Sequence, residues 1–260
     1  MNELKIALFG FDAYTGQIPR YREAVIELGH KLTFENPDII YANDPGGYQA
    51  AIQLKKIFPS SFLILHVLDI PWHHSGVNKW IQSVVNCLKL ADAVTVNSQK
   101  VKKDLLPFFS EREPLVTFDV SKDVCLIEGS EKKNDFLYVG RANDPIKRIG
   151  LVRESLKLMS NSDKNINICG SENPGFGNYL GIIKDSELNK LYNETKFVLL
   201  PSKNEGIGLS MIEGMICGSV PIMCSDNLTA KEFSPEDFIC DPNPDSIKNK
   251  IEEINKDYQK

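Results

Sequence analysis

The sequence predicts an α/β protein made of two Rossmann-like, doubly wound parallel-sheet domains that face each other across a cleft. Short runs rich in Ile and Val alternate with segments whose apolar residues recur at helical spacing. This alternation pauses at residues 107–114 and then restarts. The length of 260 residues suits one large or two compact domains. We therefore expect one domain over 1–110 and a second over 111–260.

In the first half, strands alternate with amphipathic helices. Strands are predicted over 5–10, 38–42, 62–67 and 93–96. Helices are predicted over 18–28, 49–57, 79–90 and 98–106. Gly29 ends the first helix, whereas Ser98 caps the last one and Pro107 closes it.

The second half repeats the same alternation. Strands are predicted over 124–127, 136–140, 165–170, 197–200 and 220–223. Helices are predicted over 148–159, 186–193 and 209–217. The charged tail from Pro244 onward predicts a surface helix.

Composition excludes several classes of protein. The chain has 30 Lys and Arg against 35 Asp and Glu, a net charge of −5, and no long basic run that would grip nucleic acid. Its N-terminal residues lack the pattern of a secretory signal, and no stretch is apolar for the length that spans a bilayer. The six cysteines form no CxxC pair, which favours reduced core thiols, a cytoplasmic location and no metal site.

The stretch 199–213 carries the most chemical information. A buried-type strand ends at Pro201, a glycine-containing turn follows, and a helix begins near Leu209. Free backbone N–H groups at Gly208, Leu209 and Ser210 favour a bound anion such as phosphate. Gly206 and Gly208 allow the backbone to approach a ligand closely.

Two acids flank this turn. Glu205 precedes the helix and Glu213 lies just over one turn inside it, so their carboxylates can reach opposite ends of a nucleotide sugar. The alternative is that both are solvated acids favoured by the helix dipole.

Basic residues follow another predicted strand. Arg141 comes directly after Gly140 at the tip of the strand, and Lys147 and Arg148 begin the next helix. Arginine offers a planar fork and lysine a point charge, both suited to a diphosphate. The alternative is that these cations only keep the surface soluble.

These segments together resemble the retaining, nucleotide-sugar-dependent glycosyltransferases of family four, which have the GT-B fold. The matching segments are 138–141 with 147–148, 181–188 with 191–192, 201–213 with its E-x7-E spacing, 218–222, and 90–98. The resemblance implies that 1–110 binds the acceptor and that 111–260 binds the donor sugar nucleotide, linked to UDP or GDP. It also implies a glycan, lipid or small-molecule acceptor.

The resemblance further implies roles for individual residues. Arg141 and Lys147 would hold the diphosphate, Glu205 the transferred sugar and Glu213 the ribose. Backbone near Ile182 and Ile183 would contact the base. The remaining implied contacts with the donor are Gly16, Gly140, Arg148, Ser202, Gly206, Ile207, Gly208, Leu209 and Ser210. No D-x-D motif occurs, so neither a metal nor another cofactor is expected.

The first domain departs from the family pattern. The turn after its first strand offers only Gly16 where a Gly-Gly pair is usual. Candidates for the reaction centre are Asp69 and His66, with His73 and His74 as further choices. A His66 within an apolar run is also typical of a core histidine. Residues 72–74 form either an acceptor-side loop or a packed turn.

Other functions remain open at this stage. A GT-B sugar-nucleotide epimerase or phosphorylase, or a degenerate domain pair that binds sugar nucleotides without turnover, would share these motifs. The segment 101–109 mixes lysines with apolar residues, which suits peripheral contact with anionic lipid at the inner membrane surface. Such a segment is more often a surface helix that packs its apolar side inward.

Overall fold

The computed structural model describes residues 2–10, 17–68, 78–109, 113–118, 123–159 and 165–258. The chain divides into two compact units, Met1–Phe118 and Asp119–Lys260. In the described residues each unit contains a six-stranded, wholly parallel sheet. The predicted α/β class with two parallel sheets is therefore confirmed.

The first unit has the strand order β2-β1-β3-β4-β5-β6. Its strands are β1 (Lys5–Phe9), β2 (Lys31–Leu32), β3 (Ile39–Ala42), β4 (Phe62–Val67), β5 (Ala93–Val96) and β6 (Leu115–Val116). Its helices are α1 (Gln17–Glu27), α2 (Pro45–Ile57), α3 (Asn78–Lys89) and α4 (Gln99–Leu105). The Ser98 side chain caps α4 by accepting from Val101 N at 3.1 Å, as predicted.

The first unit ends later in the chain than the sequence suggested. Leu115 and Val116 of β6 pair with β5, so this segment belongs to the first unit. The sequence boundary at residue 110 therefore differs from the structural one at Phe118. A two-residue strand is too short to show periodicity, which is why β6 was not predicted.

Helix α4 and the turn after it pack their apolar side inward. Val101 and Leu105 are fully buried, whereas Lys103 and Pro107 are exposed. Segment 101–109 is therefore a surface helix and turn that pack their apolar side inward, one of the two interpretations that the sequence allowed. Contact with anionic lipid stays a prediction. Among the described residues, no helix is long and apolar enough to cross a bilayer.

The second unit has the strand order β12-β11-β10-β7-β8-β9. Its strands are β7 (Asn134–Val139), β8 (Ile166–Cys169), β9 (Asn178–Gly181), β10 (Thr195–Leu200), β11 (Val220–Cys224) and β12 (Ile239–Cys240). Its helices are α5 (Ile149–Leu158), α6 (Asp185–Asn193), α7 (Leu209–Ile216), α8 (Ala230–Phe233) and α9 (Pro244–Tyr258).

Alternate residues of the central strands supply the two faces of this second sheet. Phe136 and Leu199 pack on one face with residues from α5 and α9. Leu137 and Val198 pack on the opposite face with Tyr192 from α6. Because both faces are covered, these strands contain continuous apolar runs instead of an apolar–polar alternation.

The strand predicted over 124–127 does not form. This segment is irregular, and asparagine side chains of α6 satisfy its backbone in place of a neighbouring strand. Cys125 N donates to Asn189 Oδ1 at 3.0 Å, and Ile127 N donates to Asn193 Oδ1 at 2.7 Å. Asn193 Nδ2 donates back to Cys125 O at 2.9 Å. This apolar run therefore forms no strand, because side chains of α6 supply the hydrogen bonds that a neighbouring strand would otherwise supply.

Helix α7 lies close to the sheet because it contains a glycine. A Cβ atom placed on Gly214 would lie 2.7 Å from Val198 Cγ2. We expect Gly214→Ala to lower the free energy of unfolding by about 1–3 kcal/mol through overpacking. Urea unfolding followed by circular dichroism measures this change.

Gly150 in α5 is the matched control. A Cβ atom there meets nothing within 4 Å, so Gly150→Ala should leave stability equal or raise it by up to about 1 kcal/mol. A Gly214→Ala protein as stable as the parent would contradict the close packing of α7 on β10.

Candidate functional site

The strand order of the second unit reverses direction at one place. From the β9 edge, the neighbouring strands are the third, second, first, fourth, fifth and sixth strands of this unit in the sequence. The order therefore reverses between β7 and β10. In open parallel sheets, ligands bind at the carboxyl ends of the strands at such a switch point. The loops that leave β7 and β10 begin at Gly140 and Pro201, the segments that carry the predicted site residues.

These two loops are bonded to each other by backbone and by side chains. Lys203 N donates to Ile146 O at 2.9 Å. Lys147 Nζ donates to Glu205 Oε1 at 2.6 Å, and the two side chains are only 18% and 11% exposed. The structure therefore brings together a lysine and a glutamate that lie 58 positions apart in the sequence and that were predicted independently.

Arg141 lies on the same loop with its side chain half exposed. Its Nη2 donates to Asp144 Oδ2 at 2.6 Å, while Asp144 Oδ1 accepts from Ile146 N at 3.0 Å. Asp144 therefore shapes the turn before Lys147 and also positions the Arg141 guanidinium. The outward part of this guanidinium is accessible to an anion.

Arg148 has a structural partner in the described residues. Its Nη1 and Nη2 each donate to one carboxylate oxygen of Asp226 at 2.8 Å, and its Nε donates to Pro201 O at 2.7 Å. Its backbone adopts a left-handed conformation with φ of 48°. The guanidinium thus joins the loops that follow β7, β10 and β11, whereas the sequence had suggested a contact with an anion.

Asp226 was not identified from the sequence. It follows Cys224, the last residue of β11, by two positions. The signal for it in the sequence is its position, because charged residues that follow the ends of parallel strands gather at one edge of the sheet.

The start of α7 has the anion-binding geometry that the glycine-containing turn predicts. Gly208 is the N-cap residue with φ of 72°, and no side chain caps this helix. A Cβ on Gly208 would also lie 3.3 Å from Leu200 Cδ2. The first-turn N–H groups of Leu209 and Ser210 have no intrahelical acceptor and point out of the helix start.

A buried threonine supports the turn that precedes α7. Glu205 O accepts from Thr229 Oγ1 at 2.6 Å, and Thr229 is fully buried. Gly206 and Ile207 are also buried. This support fixes the backbone that carries the Glu205 carboxylate. Thr229 is a further residue that the sequence did not suggest.

Glu213 is buried in α7 and held by a tyrosine. Its Oε2 accepts from Tyr192 Oη at 3.1 Å. Burial and then the charge of Glu213 raise the pKa of Tyr192 well above its usual range, so the phenol remains a donor. Glu205 thus precedes α7 and Glu213 lies in its second turn, with Lys147 bonded to the first acid and Tyr192 to the second.

Two buried hydroxyls lie at the tips of β7 and β10. Tyr138 Oη and Ser202 Oγ have no hydrogen-bond partner among the described residues. Burial, followed by the charges of Glu205 and Asp144, raises the pKa of Tyr138 above its usual range, so this phenol stays neutral. Buried groups left without partners are costly and are typical of functional sites. The sequence singled out Ser202 but not the Tyr138 hydroxyl.

Glycines bring the tips of β7 and β8 together. A Cβ on Gly170 would lie 2.1 Å from Gly140 O, and Gly140 N donates to Cys169 O at 2.9 Å. Beyond them, Gly181 ends β9 with φ of 71°. The next residue, Ile182, is 76% exposed, while Ile183 packs against the core. The segment predicted to meet the base therefore presents an apolar side chain to solvent.

The first unit places His66 in its interior. This residue lies on β4, is fully buried, and its Nδ1 is 2.7 Å from Thr95 Oγ1. Its ring stacks on that of Tyr41 with centroids 6.1 Å apart. These contacts are those of a core histidine, the alternative that the sequence left open. Gly16, Asp69, His73 and His74 lie outside the described residues.

In the second unit, an acid–lysine pair lies beside the uncapped start of α7, at the point where the strand order reverses. This arrangement is typical of the class of proteins that bind phosphorylated nucleotides. Residues 127–260 match the family described as Glycosyl transferases group 1. This segment is just over half of the chain and includes every site residue described above in the second unit. The chain belongs to this glycosyltransferase family.

Individual relatives agree with this assignment. The O-antigen chain mannosyltransferase B of Escherichia coli is 37% identical over 70 residues, which are 26% of this chain and 18% of that protein. The matched region is thus less than a fifth of that relative's length.

Two solved structures are similar over most of the chain. Anabaena HepE, in complex with UDP and glucose, has a TM-score of 0.77 at 15% identity and covers 99% of this chain and 91% of its own. A variant of TarM from S. aureus, in complex with fondaparinux, alpha-GlcNAc-glycerol and UDP, has a TM-score of 0.66 at 17% identity, covering 88% of this chain and 50% of its own. This similarity confirms the GT-B fold.

The role of Arg148 is testable through stability. Arg148→Ala removes three charge-assisted bonds, and we expect the free energy of unfolding to fall by about 1–2 kcal/mol. Arg148→Lys should lose most of the same energy because an ammonium cannot reproduce the planar fork. Thermal unfolding followed by circular dichroism measures both variants.

Lys157→Ala is the control, since the ion pair that Lys157 forms in the described part of the chain is an exposed one with Glu154 on α5. It should change stability by less than about 0.5 kcal/mol. If Arg148→Ala unfolds at the same temperature as this control, the bonds from Arg148 to Asp226 and Pro201 O do not contribute to stability.

Proposed function

We propose that this chain transfers a hexosyl group from a nucleoside-diphosphate sugar to a hydroxyl group of an acceptor, with retention of configuration and without a metal. The observation that carries the proposal is the Lys147–Glu205 pair at the strand-order reversal, next to the uncapped start of α7. The pair supplies one group for a diphosphate and one for sugar hydroxyls within hydrogen-bond distance of each other.

The diphosphate would occupy the positive side of this site. Lys147 and Arg141 would bond its oxygens, and the amides of Leu209 and Ser210 would add donors fixed by the helix. When the glycosidic bond to phosphate breaks, negative charge grows on the leaving diphosphate. Donors placed there in advance stabilise that charge in the transition state more than in the ground state.

The acids would hold the two sugars of the donor. Glu205 would accept from hydroxyls of the transferred hexose, while Lys147 holds its carboxylate in place. Glu213, fixed by Tyr192, would accept from the ribose. The exposed apolar side chain of Ile182 and the backbone around it would cover the base. These roles follow the E-x7-E spacing of Glu205 and Glu213 in family four.

Retention would need no strong base from the protein. On the face from which the diphosphate departs, its oxygen can take the proton of the acceptor hydroxyl as the new bond forms. The catalytic contribution of the chain is then electrostatic stabilisation of the leaving group.

The names of similar proteins suggest which donors to test. HepE is described with UDP and glucose, and the E. coli relative is named a mannosyltransferase. We propose a UDP- or GDP-linked hexose as donor. The acceptor would be a glycan, a lipid or a small molecule, as the ligands named for TarM include both a glycan and a glycerol glycoside. A panel of UDP-, GDP- and ADP-sugars, assayed for release of free nucleotide, selects the donor.

Lys147 is the most informative position for mutagenesis. Lys147→Ala removes a preorganised contact to the diphosphate, and we expect turnover of the selected donor to fall by about 10²–10³-fold. Arg141→Ala should reduce it in the same direction. Steady-state release of nucleotide measures both, and circular dichroism verifies that the variants remain folded, because Lys147→Ala also leaves Glu205 unpaired.

Lys157→Ala is again the matched control, since it removes one lysine from the same helical region without touching the site. It should turn over donor at the parental rate. If Lys147→Ala and Arg141→Ala both match this control, the diphosphate is not bound between them and the proposed function is wrong.

Metal independence is tested separately. Turnover of the selected donor should be equal in excess EDTA and in millimolar Mg²⁺ or Mn²⁺, because the cations of the chain carry the diphosphate charge. Activity that disappears in EDTA and returns with Mn²⁺ would place a metal on the diphosphate and would overturn this part of the proposal.

A further inference from the structure

Cys224 and Cys240 are direct neighbours across two strands of the second sheet. They are register partners in the β11–β12 pair, at the last residue of each strand. Both side chains belong to the same core cluster, so they lie on the same face of the sheet. They are 1% and 8% exposed, and both are free thiols.

This placement meets the requirements of a disulfide. Neighbouring strands lie about 4.7–4.9 Å apart. Disulfides join Cα atoms that are about 4.4–6.8 Å apart with Cβ atoms on the same side. The register therefore places the two Cα atoms at a spacing within the range that disulfides join.

The pair is chemically asymmetric. The Cys240 thiol donates to Met223 O at 3.4 Å. The interaction with its neighbour lowers the pKa of Cys240 and raises that of Cys224. Cys240 is thus the first to become a thiolate, the form that attacks a disulfide. Cys240 also lies on β12, a two-residue strand at the sheet edge that pairs only with β11. Such an edge opens locally at low cost.

We propose that Cys224 and Cys240 form a dithiol site that closes reversibly to a disulfide by exchange with a low-molecular-weight disulfide such as oxidised glutathione. The Cys240 thiolate attacks one sulfur of the reagent and releases one thiolate, which leaves a mixed disulfide on Cys240. Cys224 then loses its proton and attacks Cys240 Sγ, and the second thiolate leaves. The reagent is reduced to two thiols, and the protein pair is oxidised by two electrons.

The remaining cysteines of the second unit lack this arrangement. Cys125 and Cys217 approach the same carboxamide, since Asn189 Nδ2 donates to Cys125 Sγ and Cys217 Sγ donates to Asn189 Oδ1. They do not lie on paired strands. Cys169 is buried on β8, and burial raises the pKa of its thiol to about 11.

The test uses the full chain in a Cys125→Ser background, because Cys125 is exposed and would react on its own. The folded protein is treated with excess oxidised glutathione near pH 8, alkylated, digested without reduction and mapped by mass spectrometry. We expect the peptide that holds Cys240 to be linked to the one that holds Cys224. Fragment ions must separate Cys224 from Cys217, which lies in the same tryptic peptide. Dithiothreitol should restore both thiols.

Variants distinguish the two thiols. Cys224→Ser should abolish the link and trap glutathione on Cys240 as a mixed disulfide. Cys169→Ser should leave the link unchanged. A native protein in which Cys240 stays unmodified while the urea-unfolded chain oxidises, or one in which Cys240 links to Cys217, would overturn the proposal. None of these readouts depends on the proposed transferase activity.

Discussion

The bond between Lys147 and Glu205 is the interaction on which the candidate site depends. A lysine and a carboxylate that are largely withdrawn from water stabilise each other's charge, and removal of one leaves the other uncompensated. Their loops leave β7 and β10, the two strands at which the sheet reverses its order. The two loops are bonded to each other, and the ion pair places opposite charges between them. A ligand with both a diphosphate and sugar hydroxyls is complementary to such a pair of charges.

The three cations of the β7–α5 loop have different tasks, which follow from their side-chain chemistry. Arg148 uses its planar fork to join Asp226 and Pro201 O, so it maintains the spacing of three loops. Lys147 is a compact point charge beside Glu205. Arg141 extends toward solvent and is oriented by Asp144. Arg148, which three bonds hold in place, thus supports the backbone from which Lys147 and Arg141 can reach an anion.

The fold followed from local patterns in the sequence, but part of the site did not. Ile- and Val-rich runs predicted the central strands of both sheets because strands buried on both faces must be apolar throughout. The run at 124–127 has the same composition, yet it is irregular, since Asn189 and Asn193 from α6 take its backbone hydrogen bonds. Residue type also cannot separate an arginine that binds a ligand from one that binds Asp226, 78 positions away in the sequence. Both failures involve long-range partners that only the folded chain brings together.

The glycines show why the carboxyl edge of the second sheet can accept a ligand at all. Gly140 and Gly170 let the tips of β7 and β8 pack in contact, and Gly208 allows the left-handed turn that starts α7. A side chain at Gly170 would clash with the Gly140 carbonyl, and one at Gly208 would strain the left-handed turn. The N–H groups of Gly140 and Gly170 are bonded within the sheet, so the free donors at this edge are those of the first turn of α7. The helix fixes these donors before any ligand arrives. Preorganised donors cost little reorganisation when charge develops on a leaving group, which is the property that a transferase of this kind requires.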